Sequence, residues 1–331
     1  MNTLKVIYKN LKGSRVSTIF NFIGLITAFS AFILIMQYVW TEYNFDSYHE
    51  DAENIYRFEI KAPDKEKNSV YMSGPTKDVI AEQLPEVVAT TTYMPWGKWN
   101  EIIFEWEVDG TKQRSYEDYA IADKDLTEVF TFDFIHSNST KPLSEPNTAI
   151  VSEAFAEKLW GTHDVVGKTF KTGDEEYSVT AVFRTPPKNS LFNEPVILSF
   201  PTTGWIADSY KTWGIVNFPE FVKVKSGTIA SEFQARINEI DILKEKYHFY
   251  NKGNERFTII ARPLTDLRFA KNVAENPLFN TNNKSSVDTL FAVGLFILII
   301  ALLNYINFAT ATLPKRMKNI GVTRILGNDR R

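Results

Sequence analysis

The stretch that decides the fold is Thr289–Leu313, TLFAVGLFILIIALLNYINFATATL, followed directly by Pro314, Lys315, Arg316, Met317 and Lys318. Its 25 residues carry no charge. As a helix it measures roughly 37 Å, enough to cross a hydrocarbon core about 30 Å thick with some tilt. A buried helix of a soluble protein rarely runs so long without a charge. The reading is a membrane-spanning helix that runs into a basic, cytoplasmic end. Working outward, Ile19 to Trp40 (IFNFIGLITAFSAFILIMQYVW) is a second uncharged run of spanning length, with Tyr38, Trp40 and Tyr43 clustered at its far end. Amphipathic rings favour the membrane–water interface. This run exceeds the apolar region of a signal peptide, and no small-x-small cleavage site follows it, so it reads as an uncleaved anchor. Ahead of it, Met1–Ser17 has Lys5, Lys9, Lys12 and Arg15 with no acidic residue, and Leu4, Ile7, Tyr8 and Leu11 at helical spacing. That pattern predicts an amphipathic helix on the membrane surface.

Charge sets the orientation. Residues 1–18 carry four positive charges, and residues 314–331 carry six against Asp329 alone. The chain's net charge of −3 therefore leaves −12 for residues 19–313. Basic flanks stay inside, so both termini are predicted cytoplasmic and the acidic middle extracytoplasmic. No basic patch with interleaved aromatics marks the middle, which excludes nucleic acid as a partner. There is no cysteine, hence no disulfide framework.

The intervening region mixes strand and helix signals without strict alternation, which predicts an α+β extracytoplasmic domain inserted between two transmembrane helices. Ile55–Ile60, Ile102–Val108, Tyr177–Phe183, Glu220–Val224 and Phe257–Ala261 are rich in aromatic and β-branched residues and read as strands. Thr76–Leu84, Ser152–Trp160 and Ser231–Lys246 read as helices, the second with Ser152 as N-cap and Gly161 closing its end. The domain plan is a cytoplasmic amphipathic helix 1–17, a first span 18–42, an extracytoplasmic domain 43–286, a second span 287–313 and a cytoplasmic segment 314–331.

Catalytic signals are absent. Gly161 to Thr169 has one residue too many between its glycines for a phosphate-binding loop and follows a helix, so it reads as a turn. His49, His136, His163 and His248 lack ligand spacing, so no metal site is expected. No nucleophile–base arrangement is legible. Asn304 and Asn307, three residues apart, share one helix face and should pack against protein. Pro314 should end or redirect the second span. Beyond it, Met317, Ile320, Val322, Ile325 and Leu326 among Lys318, Asn319 and Arg324 describe a short amphipathic helix capped by Gly327. From the residues alone, this segment is a basic helix on the membrane surface or a docking element for a partner.

Several stretches in order carry a resemblance. They are LKVIYKNLKGSRVSTIFNFIGLITAFSAFILI at the start, Phe45-Asp46-Ser47-Tyr48-His49 through Asn54-Ile55-Tyr56-Arg57, AIVSEAFAEKLWG (149–161) and VVGKTF (165–170). VTAVFRTPPKNS (179–190), PLTDLRF (263–269), LLNYINFATA (302–311) and NIGVTRILG (319–327) complete the set. The chain resembles FtsX-like ABC transporter permeases with a MacB-like periplasmic core domain, of the Bacteroidetes type. The resemblance implies a non-catalytic inner-membrane subunit with no cofactor of its own. ATP would be bound by a separate ABC ATPase, with membrane lipid and a second or homologous permease as further partners. Met317, Lys318, Asn319, Ile320, Gly321, Val322, Arg324, Leu326 and Gly327 would then form the ATPase-coupling segment. Asn319 stands where the family often has an acidic residue. The family carries at least two further spans after such a segment, so the chain reads as truncated after its second. The implied work is mechanotransmission, with antimicrobial-compound or lipoprotein export among the activities it leaves open. The alternative class is a two-span sensor or scaffold that uses no ATPase.

Overall fold

In the computed structural model, residues 15–98, 102–108, 110–190, 192–201, 204–274 and 281–325 are described. The chain divides into a helical unit, residues 1–43 with 283–331, and a sheet unit, Asn44–Asn282. In chain order the elements are α1 (Arg15–Tyr43), β1 (Ile55–Lys61), α2 (Thr76–Gln83), β2 (Val87–Met94), β3 (Ile102–Val108), β4 (Thr111–Glu117) and β5 (Tyr119–Ala122). Then follow α3 (Leu126–Val129), β6 (Phe134–Ser137), β7 (Thr148–Ser152), α4 (Glu153–Trp160), β8 (Thr169–Thr172), β9 (Glu175–Phe183) and β10 (Val196–Ser199). The last are α5 (Gly204–Tyr210), β11 (Glu220–Val224), α6 (Ala230–Glu239), α7 (Asp241–Lys246), β12 (Thr258–Pro263) and α8 (Lys284–Ile325).

Among the described residues the strands form one mixed sheet in the order β12-β1-β11-β2-β5-β10-β7-β9-β8-β3-β4, with β6 on β9. The pairs β5–β10 and β7–β9 are parallel and the rest antiparallel. This is the α+β arrangement that the mixed signals predict. One face carries a continuous core from Ile55 through Tyr93, Phe130 and Phe221 to Ile150 and Phe183. The opposite face carries two cores. One lies under α4 (Phe155, Leu159, with Phe104 and Phe170), the other under α2, α6 and α7 (Ile80, Phe233, Ile237, Leu243). β1 is buried on both sides along most of its length, which is why its charged residues need partners inside the fold.

Local chemistry explains the boundaries. The hydroxyl of Ser152 accepts from the Phe155 amide at 3.2 Å and starts α4. Gly161, at φ 67°, closes it in the left-handed conformation that a residue lacking Cβ adopts without strain. At the sheet edge, Asn238 of α6 both donates to the Ile259 carbonyl and accepts from its amide, each at 2.8 Å, so a side chain satisfies the strand groups no neighbour pairs. The predicted helix over Ser231–Lys246 is two, because Ile240 takes an extended conformation (φ −67°, ψ 113°) between α6 and α7.

The helical unit corrects one expectation. Pro314 does not end the second helix: α8 runs unbroken from Lys284 to Ile325, roughly 63 Å. Proline forfeits one backbone bond, and the helix continues on both sides of it. The stretches Ile19–Tyr43 and Lys284–Ala311 are long and apolar enough to cross a membrane, with mean hydropathy 2.3 and 2.5. Their large apolar side chains face outward, Phe20 at 69% and Phe296 at 65% exposure, so neither is a core helix of a soluble protein. Most of the expected surface helix over 1–17 lies outside the described residues, and Arg15 onward belongs to α1.

Candidate functional site

Two features of the helical unit bear on function. The first is the contact between its helices. Asn304 donates to Asn21 Oδ1 at 3.1 Å, so a polar pair bridges α1 and α8. One side of the pair near it is a groove of about 270 Å³ lined by Gly24, Ala28, Ile300 and Ala301 among others. Farther along, a Cβ on Gly294 would lie 2.9 Å from Met36 Cε and 3.1 Å from Ile35 Cγ2, so the absent side chain is what allows that approach. Asn307 is not part of the polar bridge; its carbonyl accepts the hydroxyl of Thr310 at 3.0 Å.

The second feature is the predicted coupling segment. The backbone of Met317, Lys318, Asn319, Ile320, Gly321, Val322 and Arg324 is helical and continuous with the apolar span. Met317 is exposed. Leu326 and Gly327, with the predicted cap, lie outside the described residues.

The sheet unit holds three buried polar clusters that pattern reading does not reveal. On β1, Glu59 accepts from Arg57 at 2.6 Å, from Arg262 at 2.6 and 2.9 Å, and from Asn68 at 2.9 Å. Burial pulls the Glu59 carboxyl up, but Arg262 and Arg57 outweigh it and hold the group below the usual carboxylate range. Arg57 and Arg262 face each other across β1 and β12, so the single carboxylate offsets two like charges.

The second cluster lies where the two cores of the divided face meet. Lys77, at the start of α2, is buried and sits 3.2 Å from Asp123 and 3.0 Å from Asp78. Asp123 also accepts from Thr91 Oγ1 at 2.7 Å and the Thr92 amide at 3.0 Å. Burial opposes the Lys77 charge, yet Asp123, then Tyr210, Asp78 and Glu220, raise its pKa above the usual lysine range. Glu220 is fully buried and its carboxylate oxygens have no hydrogen-bond partner among the described residues. Burial drives its pKa well up against the pull of Lys77.

The third cluster anchors the segment that follows α1. The Asp46 amide donates to the Asn189 carbonyl at 2.8 Å, Asn189 Nδ2 to the Asn44 carbonyl at 2.6 Å, and the Tyr48 and Ser190 hydroxyls lie 2.9 Å apart. His49 Nδ1 accepts from the Thr131 amide at 3.1 Å. Burial pushes the imidazole pKa down to about 3, and Lys223 adds to the shift. Tyr93 hydrogen-bonds Glu194 in the same neighbourhood. This cluster joins residues of two quoted motifs, Phe45–His49 and the Pro186–Ser190 turn.

Among the described residues no group of three His, Asp or Glu side chains is placed to hold a metal. An open cleft of about 770 Å³ lined by balanced charge runs past Trp106, Trp160 and Lys168.

Comparison with known proteins follows the same lines. The profile of the family described as MacB-like periplasmic core domain matches residues 18–240. A domain of a presumed permease protein from Porphyromonas gingivalis superposes with a TM-score of 0.52 at 18% identity, covering 69% of this chain and 95% of that one. The periplasmic region of MacB from Actinobacillus actinomycetemcomitans gives 0.42 at 11% identity, over 63% of this chain and 89% of that one. The extracellular domain of the noncanonic ABC-type transporter YknZ from Gram-positive bacteria gives 0.42 at 12%, over 62% and 100%. At 18% identity, the likeness to the Porphyromonas gingivalis domain is one of fold. No curated protein matches the chain.

Proposed function

The chain belongs to the MacB-like periplasmic core domain family, and from that premise we propose that it is a mechanotransmitting membrane subunit of an ABC transporter. In this reading α1 and the apolar part of α8 cross the inner membrane, both termini are cytoplasmic, and the sheet unit stands in the periplasm. A separate ATPase binds and hydrolyses ATP, and a second permease chain completes the assembly. The chain itself performs no chemistry; its work is to carry movement. The observation that supports this most is the length of α8. The helix that forms the second span continues without interruption through the basic residues after Pro314 as far as Ile325. The helix carries a push on that end along one element, and Pro314, which lacks the N–H for the i−4 bond, is the point at which it would bend.

Gly321 lies in this extension, and its lack of a side chain suits a close approach by a partner surface. Gly321→Trp should abolish stimulation of ATP hydrolysis in the reconstituted complex while leaving membrane insertion intact. Full stimulation in that variant would return the segment to an ordinary membrane-surface helix. Failure of any ATPase to co-purify with the chain would favour a two-span sensor or scaffold instead. Fusion of a periplasm-active reporter after Arg331 tests the orientation, and activity there would overturn it.

A further inference from the structure

We propose that Arg268 forms a clasp joining the two points where the chain enters and leaves the sheet unit, and that this clasp is a positioning element for transmitted movement. The inference rests on the transport reading above. The Arg268 guanidinium lies 4.7 Å from the centre of the Phe45 ring, well inside cation–π range. Phe45 is two residues beyond the end of α1. The carbonyl of the same arginine accepts the Asn282 amide at 2.8 Å, and Asn282 is two residues before α8 begins. One residue thus holds the entry strand through its side chain and the exit strand through its backbone.

The clasp is itself anchored. Arg268 sits in the short helical turn Leu264–Phe269, whose Leu264 and Leu267 are buried in the continuous core. Phe45 packs on that core too, and its neighbours Asn44 and Asp46 are bonded to Asn189. The helical unit has a tie of its own at the corresponding positions. The Tyr43 hydroxyl hydrogen-bonds Asp288, and Lys284 Nζ lies 6.0 Å from the centre of the Tyr43 ring. On both sides of each crossing between the units, the two strands of chain are therefore held to one another. Movement that reaches one strand is shared with the other at once, and the sheet unit receives it as one displacement. Without the clasp the entry and exit strands can yield separately and absorb the stroke. Charge on residue 268 and an aromatic face at residue 45 are the required chemistry, so Lys and Tyr are the tolerated replacements.

The chain has no cysteine, which permits a single label. Tyr116→Cys places a dye on β4 at a side chain that is 63% exposed. Energy transfer to an acceptor lipid is then read, with and without ATP, for the full chain and its ATPase in nanodiscs. Arg268→Ala and Phe45→Leu should each cut the ATP-dependent change at least fourfold, with ATP hydrolysis within twofold of the unsubstituted complex. Arg268→Lys and Phe45→Tyr should keep more than half of it. Thermal unfolding of each variant separates loss of the clasp from loss of the fold. If Arg268→Ala does not accumulate, Phe45→Leu carries the test alone. A full response in Arg268→Ala or Phe45→Leu would overturn the clasp while leaving the transport reading standing. No ATP-dependent change in the unsubstituted chain would overturn both.

Discussion

Lowering the pH from 7.5 to 5 should weaken the sheet unit through one residue, His49. Its ring is 3% exposed, lies 4.0 Å from the Tyr48 ring centre and meets Phe130 and Phe192 at 5.2 and 5.1 Å. Nδ1 accepts the Thr131 amide, which places the proton of the neutral ring on Nε2. Burial holds the folded pKa near 3, whereas an unfolded imidazole titrates near 6.5. The folded value is the depressed one, so the unfolded chain takes up the proton first as pH falls. Stability from this group is complete above pH 6.5 and is lost on acidification towards pH 3. The loss is about 1.4 kcal/mol per pH unit within that window, or about 2 kcal/mol at pH 5. For a domain of this size that corresponds to a fall of about 4–8 °C in melting temperature. Carboxylates contribute their own acid sensitivity, so the comparison is with His49→Asn, which keeps an acceptor for Thr131 and does not titrate. Thermal unfolding of the full chain at pH 7.5 and pH 5 gives the difference directly. His49→Asn should start less stable, through lost ring packing, and lose less on acidification by about 2 kcal/mol. Equal acid losses in the two proteins would refute the neutral buried imidazole.

The other buried charges make an asymmetric prediction. Lys77→Met removes the counter-charge of Asp123 and should cost about 3–5 kcal/mol. Burial favours the neutral form of Glu220, so Glu220→Gln should cost no more than about 1 kcal/mol. Denaturant unfolding of both decides it, and equal penalties would mean Glu220 is ionised. In the helical unit, Asn304→Leu should weaken the α1–α8 contact by about 0.6–2 kcal/mol, while Asn307→Leu leaves it within experimental error. Gly294→Leu should lower it further, since its first added carbon already meets Met36 and Ile35. Crosslinking between cysteines introduced on the two helices measures all three, and an unchanged yield in Gly294→Leu would contradict the close approach.

What could be read from the sequence depended on whether the signal is local. The two apolar helices were legible because length and the absence of charge are one-dimensional properties. Ser152 and Gly161 were legible because a cap is written within a few residues of the helix it bounds. Strands β1, β3 and β11 announce themselves through aromatic and branched residues. β4, Thr111–Glu117, does not: Lys112, Gln113, Arg114 and Ser115 have no strand signature, and the strand forms because β3 pairs with it along its whole length. β7 and β10 escape for the opposite reason. They are short, fully buried and centrally paired, so they show no alternation to detect. The site residues divide in the same way. Asn304 was singled out as a polar group in an apolar helix, but its partner Asn21 is 283 positions away. Arg268 with Phe45, and Glu59 with Arg262, are likewise products of the folded chain. Proline's local penalty predicts a stop at Pro314, and the helix nevertheless continues to Ile325.

The position of the Lys77 cluster bears on how a sheet with two cores on one face can behave as one body. β2 and β5, which connect its two halves, pair through only two residues, Tyr93 with Ala122 and Met94 with Ile121. So short a pairing, with a separate core on either side of the divided face, would let the halves slide, since apolar packing alone does not fix register. Asp123, immediately after β5, supplies what the backbone ladder lacks by bonding the side chain of Thr91 and the amide of Thr92 on β2. Lys77 from α2 then holds Asp123 in place. A hydrophobic replacement of this cluster could be as stable, because buried ion pairs contribute little net energy against apolar isosteres. It would not be as specific: Thr91, the Thr92 amide and Lys77 converge on the one Asp123 carboxylate, and a slip of one residue breaks that set. The junction of β2 with β5 is thereby held in one register.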